Sequence, residues 1–196
     1  MGIGNPGSAY AATRHNVGWF VLDALIDMRR GQWRQASGPY LEAHIPCGET
    51  SYVLIKPLTY VNRTGEAARI ACEAYGIFPS ELLVVVDDVH LPTGALRLRQ
   101  GGSSGGHKGM DSLIAALGTE KVPRLRIGIG APAHPGALVE YVLSPFTPEE
   151  EEVIRRAVVS AAQIAEAFGR GGYDEAATVY GRLKADSFES PPHLSA

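Results

Sequence analysis

Apolar residues fall at Val17, Phe20, Val21, Ala24, Leu25 and Met28. Steps of three and four lay them along one face of a helix over residues 16 to 30. Residues 41–47 and 51–57 form two strand-like runs, and Gly48-Glu49-Thr50 between them predicts a hairpin. A second helix is expected over residues 63–75, stopped near Gly76 and Pro79. Leu82-Leu83-Val84-Val85-Val86 is apolar without a break, the pattern of a strand covered on both faces. Leu96-Arg97-Leu98-Arg99 alternates instead and predicts a strand with one apolar and one basic face. A glycine-rich loop at 101–109 follows, then a short helix over 110–117 and a strand over 124–129. Thr147-Pro148-Glu149-Glu150 combines an N-cap, a proline at the first helical position and a capping-box glutamate. The helix it opens is expected to reach about Phe168, and a last helix to span 174–184. A disordered tail is expected over 186–196, where Ser190-Pro191-Pro192 stands.

Strands alternating with helices imply one α/β domain over residues 1–185, with a sheet between helical layers. The expected architecture is a three-layer αβα sandwich whose twisted sheet is mixed through the hairpin but mostly parallel. Sites in such folds lie beyond the carboxyl ends of strands. Three polar clusters fall there: Asn5 after a short first strand, Asp87 after Val86, and the glycine loop after Arg99.

Composition narrows the classes. The chain has 196 residues, 45% of them hydrophobic and 20% charged, as in ordinary soluble domains. The net charge of -3 is wrong for a general polyanion binder, so any nucleic-acid contact needs a local basic patch. Arg97, Arg99, Lys108, Arg124 and Arg126 flank the glycine loop and supply such a patch, unless they are a solvated sheet edge. Cys47 and Cys72 make neither a disulfide framework nor a CxxC motif and are expected to be reduced and buried, which fits the cytosol. No apolar run has the length of a membrane span, and the first residues do not read as a signal peptide.

Several motifs carry chemistry, each beside a plainer reading. Gly2-Ile3-Gly4-Asn5-Pro6-Gly7 fits GxGxxG, but no full strand precedes it and no helix follows at once, so a tight turn is the stronger reading. Gly101-Gly102-Ser103-Ser104-Gly105 fits a nucleophile elbow, with His107, His134 and His193 downstream. An anion-binding backbone loop explains its glycines more economically. His15 stands before the Val17 helix, with Asn16 as the expected N-cap. A positive helix end there would lower its pKa and favour the neutral form that a general base requires. Asp87 and Asp88 point opposite ways on an extended chain, so only one can orient a histidine. Asn62 would serve simply as an N-cap for the next helix. His90 beside the aspartates suggests a metal site only weakly, since no HExxH or Cys/His cluster accompanies it.

Together, Gly4-Asn5-Pro6-Gly7, the run from Tyr10 to Gly18, Lys56-Pro57 through Asn62, Asp87-Asp88, the glycine loop, and Arg124 through Gly130 resemble the bacterial-type peptidyl-tRNA hydrolase family. They come in its order and at its spacings over roughly residues 1–185. The resemblance implies that His15 is the catalytic histidine, Asp87 its supporting aspartate, and Asn5 and Asn62 the substrate-positioning asparagines. It implies further that Tyr10 and His107 lie near the cleft and that Arg99 and Arg126 grip the tRNA 5′-phosphate. No metal or cofactor is implied. The implied partner is peptidyl-tRNA, through its acceptor stem, 3′ end and peptide, for a cytoplasmic monomer that recycles tRNA. Departures from the pattern are Val61 where methionine is usual, Lys108 where asparagine is common, and His90 in place of an aspartate. The chain also starts almost on the first motif, so a stunted first strand is expected.

The mechanism expected is direct attack by water, activated by neutral His15 and steadied by Asp87. Two rivals stand beside it: a serine esterase using Ser103 or Ser104, and an RNA-binding protein on the same fold that does not hydrolyse.

Overall fold

In the computed structural model, which describes residues 1–189, the strongest sequence patterns become the main elements. The Val17 stripe is α1, Val17–Arg29, with Val17, Val21, Leu22 and Leu25 buried. After a two-residue strand β1, Arg34–Gln35, the hairpin is β2, Tyr40–Cys47, and β3, Thr50–Pro57. Cys47 pairs with Thr50, so the turn is only Gly48-Glu49. Next come α2, Thr64–Tyr75, β4, Val84–Asp88, β5, Leu96–Arg99, α3, Lys108–Leu117, and β6, Arg124–Gly128. A short helix α4, Leu138–Val142, precedes α5, Pro148–Glu189.

The two C-terminal helices expected from the sequence form one element with a break. Gly171 and Gly172 leave helical geometry inside α5. The helix continues through residues 186–189, where a tail was expected, and residues 190–196 lie outside those described.

Expectation and structure part over the sheet. β1, β2 and β3 pair antiparallel; β4 and β6 pair parallel, and β5 joins β6 antiparallel. Of these four ladders one is parallel, so the mostly parallel sheet is corrected to a largely antiparallel one. The cause is connection length. Parallel neighbours need a crossover of about a dozen residues. Only residues 89–95 separate β4 from β5, which therefore returns antiparallel.

The stunted first strand joins the two ladders. Gly2 N–H donates to Ile55 O at 3.0 Å on one side. Ile3 N–H donates to Val85 O at 2.9 Å on the other, and Val85 N–H to Met1 O at 2.8 Å. Period-two alternation then splits the core. Val85, Leu98, Leu125 and Ile127 pack with α1 and α5, while Val84, Val86 and Ile3 pack with α2 and α3. The carboxyl end of β4 is thereby brought beside Asn5 and the turn that carries His15.

Candidate active site

Asp87 is the centre of the cleft. It ends β4, is 2% exposed, and its carboxylate takes hydrogen bonds from two imidazoles. His15 Nδ1 lies 2.9 Å from Oδ2 and 3.0 Å from Oδ1, and His107 Nε2 lies 2.9 Å from Oδ1. Asp88 points the other way, as alternation requires, and accepts from Arg126 Nη1 at 3.0 Å and His90 N–H at 2.8 Å.

His107 fixes its own tautomer. It is the N-cap of α3, and its Nδ1 lone pair accepts from Gly109 N–H at 3.1 Å and Met110 N–H at 3.3 Å. The proton must therefore sit on Nε2, which donates to Asp87. This second imidazole on one carboxylate is the feature that sequence reasoning missed. Histidine is not among the preferred N-cap residues, so nothing marked the role. His15 likewise donates from Nδ1, which leaves its Nε2 lone pair facing the cleft.

The backbone under His15 is held by asparagines in an unexpected way. Asn16 stands at the N-cap position of α1, but its side chain makes no capping hydrogen bond. Its Oδ1 accepts from Asn5 N–H at 2.9 Å and its Nδ2 donates to Asn5 O at 3.0 Å. The side chain is committed to this long-range clasp, whereas the sequence suggested only the local use. Asn5 Oδ1 in turn accepts from Val61 N–H at 2.9 Å, so its Nδ2 is the group left over for a ligand. Asn62 is no cap, because a 3-10 turn, Val61–Arg63, precedes α2. It is exposed, lines the cleft, and has no hydrogen-bond partner among the described residues.

The electrostatics correct a second expectation. Burial pushes the His15 pKa down, but the charge of Asp87 and the hydrogen bond to it outweigh this, and the net direction is up from 6.5. The carboxylate, not the helix end, dominates. Burial would raise the pKa of Asp87, yet His107 and His15 together hold it well below the usual carboxylate range. The donor atoms of His15, Asp87 and His107 lie within 4.8 Å of one another, close enough to ligate an ion. The 2.9 Å contacts with the carboxylate are already accounted for as hydrogen bonds.

Around this centre is a cleft of about 600 Å³. Leu138, Val139, Val142 and Leu143 form an apolar wall on and after α4, facing Tyr60 and buried Val61. Asn5, Asn62, His90 and Lys108 supply polar groups. Lys108 is exposed and has no ion pair among the described residues. Tyr10 does not line the cleft. It packs edge-on to Tyr60, with ring centres 6.3 Å apart.

The basic residues divide into anchors and free cations. Arg97 stands opposite Arg126, and Arg99 opposite Arg124, so all four project from one face. Arg124, 1% exposed, donates to the carbonyls of Ser103, Glu120 and Val122. Arg126 donates to Asp88 and to the carbonyls of Ser103 and Ser104. These two hold the glycine loop, and a Cβ on Gly105 would lie 3.0 Å from Arg126 Nη1. Arg97 and Arg99 are exposed, and of the expected clamp pair only Arg126 reaches the cleft lining. Ser103 and Ser104 do not line the cleft, and no histidine hydrogen-bonds either hydroxyl among the described residues. Among the described residues a nucleophile elbow therefore has no histidine base, and His193 lies outside them. Among the described residues no helix is long and apolar enough to cross a membrane.

Comparison with known proteins places nearly the whole chain beside one family. The family model described as peptidyl-tRNA hydrolase matches residues 1–187. The peptidyl-tRNA hydrolase of Aquifex aeolicus is 47% identical over 166 residues, covering 82% of this chain and 84% of that one. The peptidyl-tRNA hydrolase of Gloeobacter violaceus is 40% identical over 195 residues, covering 98% and 96%. Among solved structures, the peptidyl-tRNA hydrolase from Acinetobacter baumannii superposes with a TM-score of 0.85 at 28% identity, covering 91% of each chain.

Proposed function

This chain belongs to the peptidyl-tRNA hydrolase family and hydrolyses the ester between peptide and tRNA; we propose that it does so by direct attack of water, with His15 as the base. The observation that carries this is the His15–Asp87 pair at 2.9 Å, which holds a proton on Nδ1 and turns the Nε2 lone pair to the cleft. His15 Nε2 takes a proton from water as its oxygen attacks the ester carbonyl. Asp87 stabilises the imidazolium that forms without itself being protonated. As the tetrahedral intermediate collapses, the ester C–O bond breaks and the imidazolium returns the proton to the departing ribose oxygen.

The remaining groups bind and orient. Asn5 Nδ2 and the Asn62 amide are donors for the carbonyl oxygen or the attacking water. The Lys108 ammonium adds a positive charge at the cleft, for the developing oxyanion or a terminal phosphate. His107 acts through Asp87, Val61 shapes the wall, and Tyr10 backs Tyr60. Arg99, with Arg97, offers exposed cations for the RNA backbone, while Arg126 supports the loop beside them. An ester to ribose has a leaving group good enough to need no metal. The helices on either face of the sheet are read as the outer layers of a sandwich over residues 1–185. The working form is taken to be a cytoplasmic monomer that recycles tRNA.

Turnover of N-acetyl-aminoacyl-tRNA tests the assignment. His15→Ala is expected to lose about a thousandfold or more in kcat. The Ser103→Ala/Ser104→Ala double variant should keep its activity. The reverse pattern would make the protein a serine esterase. RNA binding without turnover by the unaltered chain would make it a binder only.

A further inference from the structure

The residue before the proposed base is a buried cation whose partners all belong to the structure around the cleft. Arg14 is 4% exposed, and its guanidinium carbon lies 4.5 Å from the ring centre of Tyr141 and 4.8 Å from that of Phe146. Its Nη1 and Nη2 meet the two carboxylate oxygens of Glu150 at 2.8 and 2.7 Å, a bidentate pair. Nε reaches Ser144 Oγ at 3.4 Å, and the backbone N–H of Arg14 donates to Ser144 O at 2.9 Å. Nη1 also reaches Ile129 O at 3.5 Å, the carbonyl on which Tyr141 OH rests, while the other partners lie between residues 141 and 150. That segment links α4, which carries the apolar wall, to α5.

The two ends of this connection are not equally held. The His15 turn has other anchors: the pair with Asp87, the Asn16–Asn5 clasp, and Thr13 Oγ1 donating to Tyr10 O at 2.8 Å. α4 has none of its five residues buried, and Val139 is 69% exposed. Besides Arg14, it is held by Tyr141 OH on Ile129 O at 2.5 Å, Ser144 Oγ on Tyr141 O at 2.8 Å, the partial packing of Tyr141 and Val142 on the core, and the Thr13–Pro145 bridge just beyond it. Glu150 couples the same arginine to the helix start, since its second role is to accept Thr147 N–H at 2.8 Å.

We propose that Arg14 is a positioning residue that fixes the apolar wall of α4 relative to His15, and so sets how tightly the cleft holds an apolar side chain on the peptide. The proposal rests on the reading of the cleft as the peptidyl-tRNA site. It assigns Arg14 to binding discrimination and leaves the proton transfer to His15 and Asp87. A flexible lysine keeps the charge but loses the fork and the planar stack.

The test compares two substrates on the same tRNA, N-acetyl-phenylalanyl and N-acetyl-glycyl, with Arg14→Lys. KM for the phenylalanyl substrate is expected to rise about tenfold, and KM for the glycyl substrate to stay within about twofold, the scale on which an apolar pocket discriminates. kcat for both should hold within about twofold, with the pH limb unmoved. Glu150→Gln, which keeps both aromatic stacks, should show the same pattern in weaker form, and it serves if Arg14→Lys does not fold. An equal loss of kcat on both substrates, a shifted pH limb, or an unchanged KM ratio would overturn the proposal. Failure of the underlying reading shows separately, as no turnover of either substrate by the unaltered protein, and takes the proposal with it.

Discussion

Asp87→Asn keeps the shape of the side chain and replaces one acceptor oxygen with a donor amide. Two imidazoles now compete for the one oxygen left. His107 cannot adapt, because its Nδ1 lone pair is held by Gly109 and Met110 N–H, so it must keep its proton on Nε2 and take the oxygen. The amide NH₂ is left 2.9 Å from His15 Nδ1, where Asp87 Oδ2 stood, and the oxygen 3.0 Å from the same nitrogen is the one that His107 holds. A donor opposite a donor is repulsive, so His15 moves its proton to Nε2 and accepts at Nδ1. The lone pair at the cleft is lost. A wrong tautomer together with an unsupported imidazolium lowers kcat by about 10³ to 10⁴, or roughly 4 to 5.5 kcal/mol in the barrier. KM should stay within about threefold, because the buried Asp87 side chain would not contact substrate. Steady-state turnover of N-acetyl-aminoacyl-tRNA measures both constants, and ¹⁵N chemical shifts of the imidazoles report the tautomers. A kcat loss below about tenfold, or an unchanged His15 tautomer, would refute the reasoning.

Other outcomes follow from the same geometry. Stability should decline at both ends of the pH range: the Asp87 contribution, present above its ordinary 3.8, is lost as pH falls through its lowered value. The His15 contribution, full below 6.5, is lost as pH rises through its raised value, so a melting-temperature profile should flatten at both limbs in Asp87→Asn. Arg126→Met strands the buried Asp88 carboxylate and frees the loop carbonyls; about 3 to 5 kcal/mol of stability should be lost in urea titration, with partial recovery in Arg126→Met/Asp88→Asn. Arg99→Ala should leave stability within about 0.5 kcal/mol and reduce the salt slope of tRNA binding by about one. Gly65→Ala would set a Cβ 2.1 Å from Ser112 O where α2 meets α3, and should cost about 3 kcal/mol or more by chemical denaturation.

The legible parts of this site were those set by local pattern. Alternation along β4 says that one of Asp87 and Asp88 faces a histidine and the other does not, and the structure divides them so. The His15 turn and the glycine loop were visible as turn chemistry around the right strand ends. What stayed hidden depends on distant partners. Asn16 reads locally as a cap, yet its amide is used eleven residues away on Asn5. Arg124 and Arg126 read as a basic face, and only the folded loop shows their charge turned onto its carbonyls. α4 is a five-residue helix after Pro132, Pro135 and Gly136, too short for periodicity to show, though it supplies the apolar wall. The sheet direction was misjudged because strand order was inferred from alternation with helices, while the short link from β4 to β5 decides it.

The most direct test of the central claim is the pH dependence of kcat/KM for the unaltered protein beside His15→Ala. The account predicts a rate that rises with pH through an apparent pKa above 6.5, the direction in which Asp87 moves His15, and then a plateau. His15→Ala should lie about a thousandfold lower on that plateau, with the limb gone. A limb that survives in His15→Ala, or a rate within about tenfold of the unaltered protein, would contradict the assignment of His15 as the base.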